Sequence, residues 1–233
     1  MSSLSLKAKN ISKAYRNGRS LKKRSYVLEN ISFEVKRGET LGIMGESGTG
    51  KSTLGRVLAG IEKATAGEIF FGGKPIEVLD KTEYTQFRRN VQIVFQNPEG
   101  SLNPKKTVEK SLHQVLGLIE IPKEKREEVL IDILGTVGLS EDLLCRYPYQ
   151  LSGGQNQKLA LGRVMLLEPD FIILDEPTSA LDISVRAQIL HLLKEWQAKK
   201  KTGYVWISHE REVVDFMADR IAVLENGRLA FKS

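Results

Sequence analysis

Two hydrophobic rhythms alternate along the chain. "LSLKAKNIS" near the start and "YVLENISFEV" from Tyr26 place apolar side chains at every second position, the spacing of a strand with one buried face. They are predicted to be antiparallel strands flanking the polar loop "RNGRSLKKRS". "ETLGIMG" is a short apolar strand ending in glycine, and "KSTLGRVLAGI" continues at helical spacing. "GEIFFGGKPI" predicts a strand turning into a hairpin at Gly72-Gly73, and "VQIVF" at 91–95 a buried strand.

The texture changes between about 97 and 150. "NPEGSLNPKK" is a loop punctuated by proline. "TVEKSLHQVLGLI" and "KEKREEVLIDILGTVGL" predict helices, with Leu112, Val115, Leu116 and Ile119 on one face of the first. Strand and helix then alternate again through "FIILDEP", "SVRAQILHLLKEWQAKKK", "YVWISHE", a short helix and "RIAVLENGRLAF", a hairpin turning at Asn226-Gly227. This order predicts an α/β fold with a parallel-sheet core, an N-terminal antiparallel β subdomain and an inserted α-helical subdomain. The expected organisation is one domain over 1–233, with the helical subdomain at about 97–165.

Composition narrows the class. With 233 residues, 41% hydrophobic and 27% charged, the chain can bury a sizeable core. No apolar run approaches the ~18 residues needed to cross a bilayer, and "MSSLSLKAKN" lacks the apolar stretch of a signal peptide. The expectation is a cytosolic protein, which fits the single Cys145. The net charge of +6 is a local excess: residues 1–28 carry eight basic side chains (Lys7, Lys9, Lys13, Arg16, Arg19, Lys22, Lys23, Arg24) and no acidic one. The remainder holds 27 basic against 29 acidic residues, a balance that argues against nucleic acid as the partner.

Three segments carry chemistry. "GESGTGKST" matches G-x-x-x-x-G-K-[ST] between a predicted strand and a predicted helix. In such a loop (Gly45, Glu46, Ser47, Gly48, Thr49, Gly50, Lys51, Ser52, Thr53), backbone N–H groups curl around phosphate oxygens. Lys51 then reaches the β- and γ-phosphates, and Ser52 offers its hydroxyl to Mg²⁺. "FIILDEP" ends a buried strand with Asp175, suited to the Mg²⁺ shell, and Glu176, suited to polarise an attacking water. "LSGGQNQKLALGR" at 151–163 opens a helix with Ser152, Gly153, Gly154 and Gln155. No acidic residue follows until Glu168, so small residues and free N–H groups meet the positive end of a helix. A nucleoside triphosphatase with Mg²⁺ is the expectation; the motifs alone do not say which nucleotide.

"LSGGQ" resembles the signature of the ABC ATPases, and the order of the other motifs is similar to that family across essentially the whole chain. The resemblance implies ATP as the nucleotide, and further roles: Tyr15 stacking on adenine, Gln96 of "IVFQNP" reaching Mg²⁺ and the attacking water, Asp182 of "SALD" in the D-loop, and His209 of "WISHE" contacting the γ-phosphate. It also implies that Ser152, Gly153, Gly154 and Gln155 act in trans, on ATP held by a second, homologous ATPase subunit packed head to tail. Lys158 departs from the usual arginine after the signature, and Glu210 from the usual aspartate after the histidine.

"FQNP…SLNP" resembles the oligopeptide, dipeptide and nickel importer ATPases within that family. That likeness implies an ATPase heterodimer, two transmembrane permease subunits docked near residues 97–110, and an extracellular substrate-binding protein acting indirectly. It places the chain peripherally on the cytoplasmic face of the membrane. Many peptide-importing relatives continue past the last hairpin with a cysteine cluster. The end at Ser233 without one favours the nickel or metal-chelate branch, and the expected cargo is nickel or a metal chelate, or else a di- or oligopeptide. The alternative reading is a soluble ABC-type ATP switch acting on nucleic acid. Against it, Lys51 and Ser152 stand 101 positions apart, with no heptad tract or cysteine pair between them.

Overall fold

The computed structural model describes residues 4–16 and 24–232. Most of the basic loop "RNGRSLKKRS" therefore lies outside the described residues. In chain order the elements are β1 (Ser5–Arg16), β2 (Arg24–Lys36), β3 (Thr40–Met44), α1 (Lys51–Leu58), β4 (Ala66–Phe71), β5 (Lys74–Pro75), α2 (Lys81–Asn90) and β6 (Val91–Val94). There follow α3 (Val108–Leu118), α4 (Arg126–Val137), α5 (Gly153–Met165), β7 (Phe171–Asp175), α6 (Ile183–Lys200), β8 (Gly203–Ile207), α7 (Arg211–Met217), β9 (Arg220–Glu225) and β10 (Arg228–Phe231). They divide into two compact units. The first is Met1–Ile93, Asp170–Glu176 and Gln197–Ser233; the second is Val94–Pro169 and Pro177–Trp196.

The first unit holds two sheets. One is antiparallel, in the order β2-β1-β4-β5, and its period-two faces bury Leu6, Ala8, Ile11, Leu28, Ile31 and Phe33. The other runs β10-β9-β3-β8-β7-β6, with β9, β3, β8 and β7 parallel and β10 antiparallel. β7 and β8 are buried at every position, which is why they read as apolar runs and not as alternating strands. Both predicted hairpins form, with left-handed backbone at Gly72-Gly73 and at Asn226-Gly227.

Register does the work of positioning. Ile43 pairs with Ile207, and Asp175 also pairs with Ile207, so the C-terminal ends of β3, β8 and β7 stop level with one another. The residues that continue from those ends are Gly45, Ser208-His209 and Glu176. Parallel strands all deliver their carboxyl ends to one edge, where ligands of open α/β sheets bind.

Helix α2 had no counterpart in the hydrophobic pattern. Its mean composition is polar and only Phe87 is buried, so no apolar stripe announces it. Its start is nonetheless encoded in "DKTE": Asp80 accepts from the Glu83 N–H at 2.8 Å, and the Glu83 carboxylate accepts from the Asp80 N–H at 3.3 Å, a capping box.

The second unit is helical. On α3, Leu112, Val115 and Leu116 are buried as their spacing predicts, and Ile119 caps the helix C-terminus half-buried. The second predicted helix begins as a 3-10 turn at Lys123–Lys125 before α4, which ends where Gly138 adopts the left-handed conformation. α5 buries Leu159, Ala160, Leu161 and Met165.

Candidate functional site

Strand β3 ends at Met44, and residues 45–50 form the loop that leads into α1. Gly50 is the N-cap residue of α1 with φ 101°, and a Cβ there would lie 2.7 Å from Val27 Cγ1. Only glycine meets both conditions. α1 carries no acidic residue in its first turn, so its N-terminal N–H groups and positive end are uncompensated. The Lys51 ammonium, 5% exposed, curls back to donate to the carbonyls of Gly45 at 2.8 Å and Glu46 at 2.7 Å. Glu46, Ser47 and Gly48 are exposed at the loop crest, Thr49 bonds back to the Glu46 carbonyl, and Thr53 is buried.

Asp175 is buried at the end of β7, and among the described residues its Oδ1 has no hydrogen-bond partner. Burial pushes its carboxyl above the usual range, with Glu176 nearby adding to the rise; the Ser52 side chain, Arg56 and Lys51 pull the other way. A buried carboxylate oxygen left unpaired against a serine hydroxyl and an ammonium fits a hard divalent cation with oxygen ligands. The donor set thus suits Mg²⁺ accompanying a polyphosphate.

Glu176 follows with a left-handed backbone, φ 48°, unusual for a residue bearing a side chain. Its N–H is held by the Ile207 carbonyl at 2.9 Å. This turns the carboxylate so that Oε1 lies 3.2 Å from His209 Nδ1 and 4.0 Å from Lys51 Nζ. His209 is half-exposed just beyond β8. The first unit therefore gathers the loop 45–53, Asp175, Glu176 and His209 at one sheet edge.

Tyr15, near the end of β1 in the same unit, is 38% exposed, and its hydroxyl donates to Glu62 Oε2 at 2.7 Å. No local pattern hinted at this partner, 47 positions away.

The second unit holds the remaining predicted residues. Gln96 is exposed and its Nε2 donates to Ser179 Oγ at 3.3 Å. Asp182 caps α6, its Oδ1 accepting from the Val185 N–H at 3.0 Å. Ser152 is the exposed N-cap of α5: its Oγ accepts from the Gln155 N–H at 3.2 Å, and Gln155 Oε1 accepts from the Ser152 N–H at 2.9 Å. A serine that caps in this way only accepts, so its own O–H proton stays available for an anion. Gly153 and Gly154 form the first turn behind it.

Residues 28–179 match the family described as ABC transporter. The chain belongs to the ABC transporter ATP-binding family. The dipeptide transport ATP-binding protein DppF of Escherichia coli is 45% identical over 206 residues, 88% of this chain. The oligopeptide transport ATP-binding protein OppF of Streptococcus pyogenes is 42% identical over 209 residues, again 88% of the chain and 68% of that protein. This chain spans 62% of the length of the Escherichia coli relative. Among solved structures, the ATP-binding cassette MJ0796, in a dimeric post-hydrolysis state bound to ADP and Pi, superposes with a TM-score of 0.85 at 33% identity over 98% of both chains.

The two departures from the family pattern have local consequences. Lys158 donates to Gln188 Oε1 on α6 at 2.8 Å and reaches the Gly138 carbonyl at the end of α4, tying three helices of its unit. Glu210 occupies the N-cap position of α7 without a side-chain cap bond, a task the shorter aspartate performs better.

Proposed function

We propose that this chain is the ATP-hydrolysing subunit of an importer for di- or oligopeptides. The observation that carries the proposal is the Glu176 carboxylate, held in a left-handed turn between His209 and Lys51 at the mouth of a phosphate-binding loop.

In this reading the N–H groups of residues 45–53 hold the triphosphate, and Lys51 leaves the Gly45 and Glu46 carbonyls to neutralise the β- and γ-phosphates. Ser52, Asp175 and Gln96 would hold Mg²⁺, which would supply charge neutralisation to the triphosphate when bound. Glu176 accepts the proton of the water that attacks the γ-phosphate in line, and His209 donates a hydrogen bond to the γ-phosphate as charge shifts onto the leaving group. Gln96 orients that water, and Asp182 belongs to the segment that couples the two sites. Ser152, Gly153, Gly154 and Gln155 contact the γ-phosphate of ATP bound by a second, homologous ATPase subunit. The dimeric, ADP-bound MJ0796 supports a shared site.

The partners in this reading are a different ATPase chain, two permease subunits and, indirectly, a substrate-binding protein, with the chain peripheral on the cytoplasmic face of the membrane. Among the described residues no helix is long and apolar enough to cross a bilayer, which accords with a peripheral role. The expectation of nickel rested on where the sequence ends. That has no weight against 45% and 42% identity to peptide transport ATP-binding proteins, so peptide is the proposed cargo.

The test is Glu176→Gln assembled with its partner subunits. Turnover is expected to fall by about 10²–10⁴-fold while ATP binding persists. Hydrolysis at the wild-type rate would remove Glu176 as the base.

A further inference from the structure

The aromatic ring of Tyr15 is held by a cluster of charged side chains. Beyond its 2.7 Å bond to Glu62, its hydroxyl lies 3.4 Å from Thr53 Oγ1 on α1. The Lys13 ammonium sits over the ring, 5.2 Å from the centroid, while donating to the Lys63 carbonyl at 2.7 Å and pairing with Glu62 at 3.3 Å. Arg56 Nε meets the other Glu62 oxygen at 2.6 Å, and its terminal nitrogen reaches Thr53 Oγ1 at 3.3 Å. Glu62 is in turn fixed to the C-terminal end of α1, because the N–H groups of Ile61 and Glu62 bond the Arg56 carbonyl at 2.9 and 3.2 Å. Burial pushes the Glu62 carboxyl up, but bonds from Tyr15, Arg56 and Lys13 outweigh it and hold the group below the usual range, so it stays ionised.

One helix thus starts in the phosphate-binding loop and ends beside the residue that grips the Tyr15 hydroxyl. We propose that Glu62 is a positioning residue that holds the Tyr15 ring as a nucleobase platform at a fixed distance from the phosphate cradle of residues 45–53. The proposal rests on the reading of Tyr15 as the adenine-stacking side chain. Base stacking depends on ring offset and tilt, whereas the triphosphate is located independently by the loop. A ring at the end of a strand, still 38% exposed, would otherwise surrender rotamer freedom each time a nucleotide bound.

The experiment is calorimetric titration of the chain with ATP and, separately, with inorganic tripolyphosphate, both with Mg²⁺. Tyr15→Phe removes only the hydroxyl that Glu62 holds; Glu62→Gln keeps the side-chain size and removes its charge. Each is expected to weaken ATP binding by about three- to tenfold and to leave tripolyphosphate binding unchanged. The double variant should be no weaker than the worse single one, because both act through one bond. Tyr15→Ala should lose at least as much ATP affinity. If Tyr15→Ala weakens ATP binding while Tyr15→Phe and Glu62→Gln bind like wild type, the platform stands and the positioning role falls. If Tyr15→Ala itself binds ATP normally, the stacking reading falls first. Equal loss of tripolyphosphate affinity in Glu62→Gln would make Glu62 a support of α1 and overturn the proposal; Tyr15→Phe leaves every charge in place should that variant fold poorly.

Discussion

Gly153 and Gly154 are adjacent in the signature, yet alanine at the two positions should behave differently. A Cβ on Gly154 would stand 2.7 Å from Val185 Cγ1 and 3.5 Å from Val185 Cγ2, whereas a Cβ on Gly153 meets nothing within 4 Å among the described residues. Overpacking of this kind costs about 1–3 kcal/mol, and the helix propensity of alanine over glycine returns ~1 kcal/mol. Gly154→Ala should therefore lose about 0–2 kcal/mol, a fall of up to ~8 °C in Tm for a chain of this size, and Gly153→Ala should be neutral or slightly more stable. Val185 is half-buried on α6, and trimming it in Gly154→Ala/Val185→Ala makes room and should recover most of the lost stability. Turnover separates packing from nucleotide contact. If both glycines approach ATP held by a partner subunit, either alanine abolishes turnover of the assembled transporter, leaves ATP binding by the single chain intact, and is not rescued by Val185→Ala. Thermal unfolding of the four proteins, with ATPase assays of the assembled complex, reads both effects. Recovery of turnover in the double variant, or full turnover in Gly153→Ala, would refute the trans contact and leave these glycines a packing role.

Asp175→Asn should stabilise the ATP-free chain near neutral pH. Burial raises the folded-state pKa of Asp175 above its ordinary 3.8, so the folded chain binds the extra proton. Stability accordingly falls as pH rises from the ordinary value through the raised one, and the cost is complete above it. The Tm gain of the variant should thus be present at about pH 7 and shrink towards about pH 4; an equal gain at both would show that the ionised carboxylate is not its source. Lys158→Met removes the ammonium bonds to Gln188 and Gly138 while keeping the stem. It is expected to cost about 1 kcal/mol, or ~2–4 °C in Tm, with ATP binding by the single chain unchanged. Lys158→Arg, the residue usual in the family, should restore part of that loss.

Much of the site was legible because its signals are local. "GESGTGKST" needs only its own glycines and the flanking strand and helix to declare a phosphate loop, and the loop does open α1. "LSGGQ" carries its cap within four residues, Ser152 and Gln155 bonding each other's backbone. Asp182 shows how a local signal can serve two ends: the aspartate expected in the D-loop is also the cap of α6. Less legible was α2, whose polar surface hides its period and whose capping box was the only available sign. The grip of Glu62 on Tyr15 had no sign at all, because the two meet through strand pairing and the end of α1.

By itself the sequence determined which segments other than α2 are strands and helices, where the hairpin turns and the signature cap fall, and which chemistry each loop can offer. These follow from periodicity, backbone preference and hydrogen bonds closed within a few residues. The tertiary structure alone decided that β3 lies between β8 and β9, and that Asp175 and Ile43 align on either side of Ile207. It likewise decided that Glu176 turns through a left-handed backbone to stand between Lys51 and His209. Those meetings join residues more than 120 positions apart in the chain for Lys51 and Glu176. They exist only because a buried parallel sheet satisfies its backbone in one register and delivers every carboxyl end to the same edge.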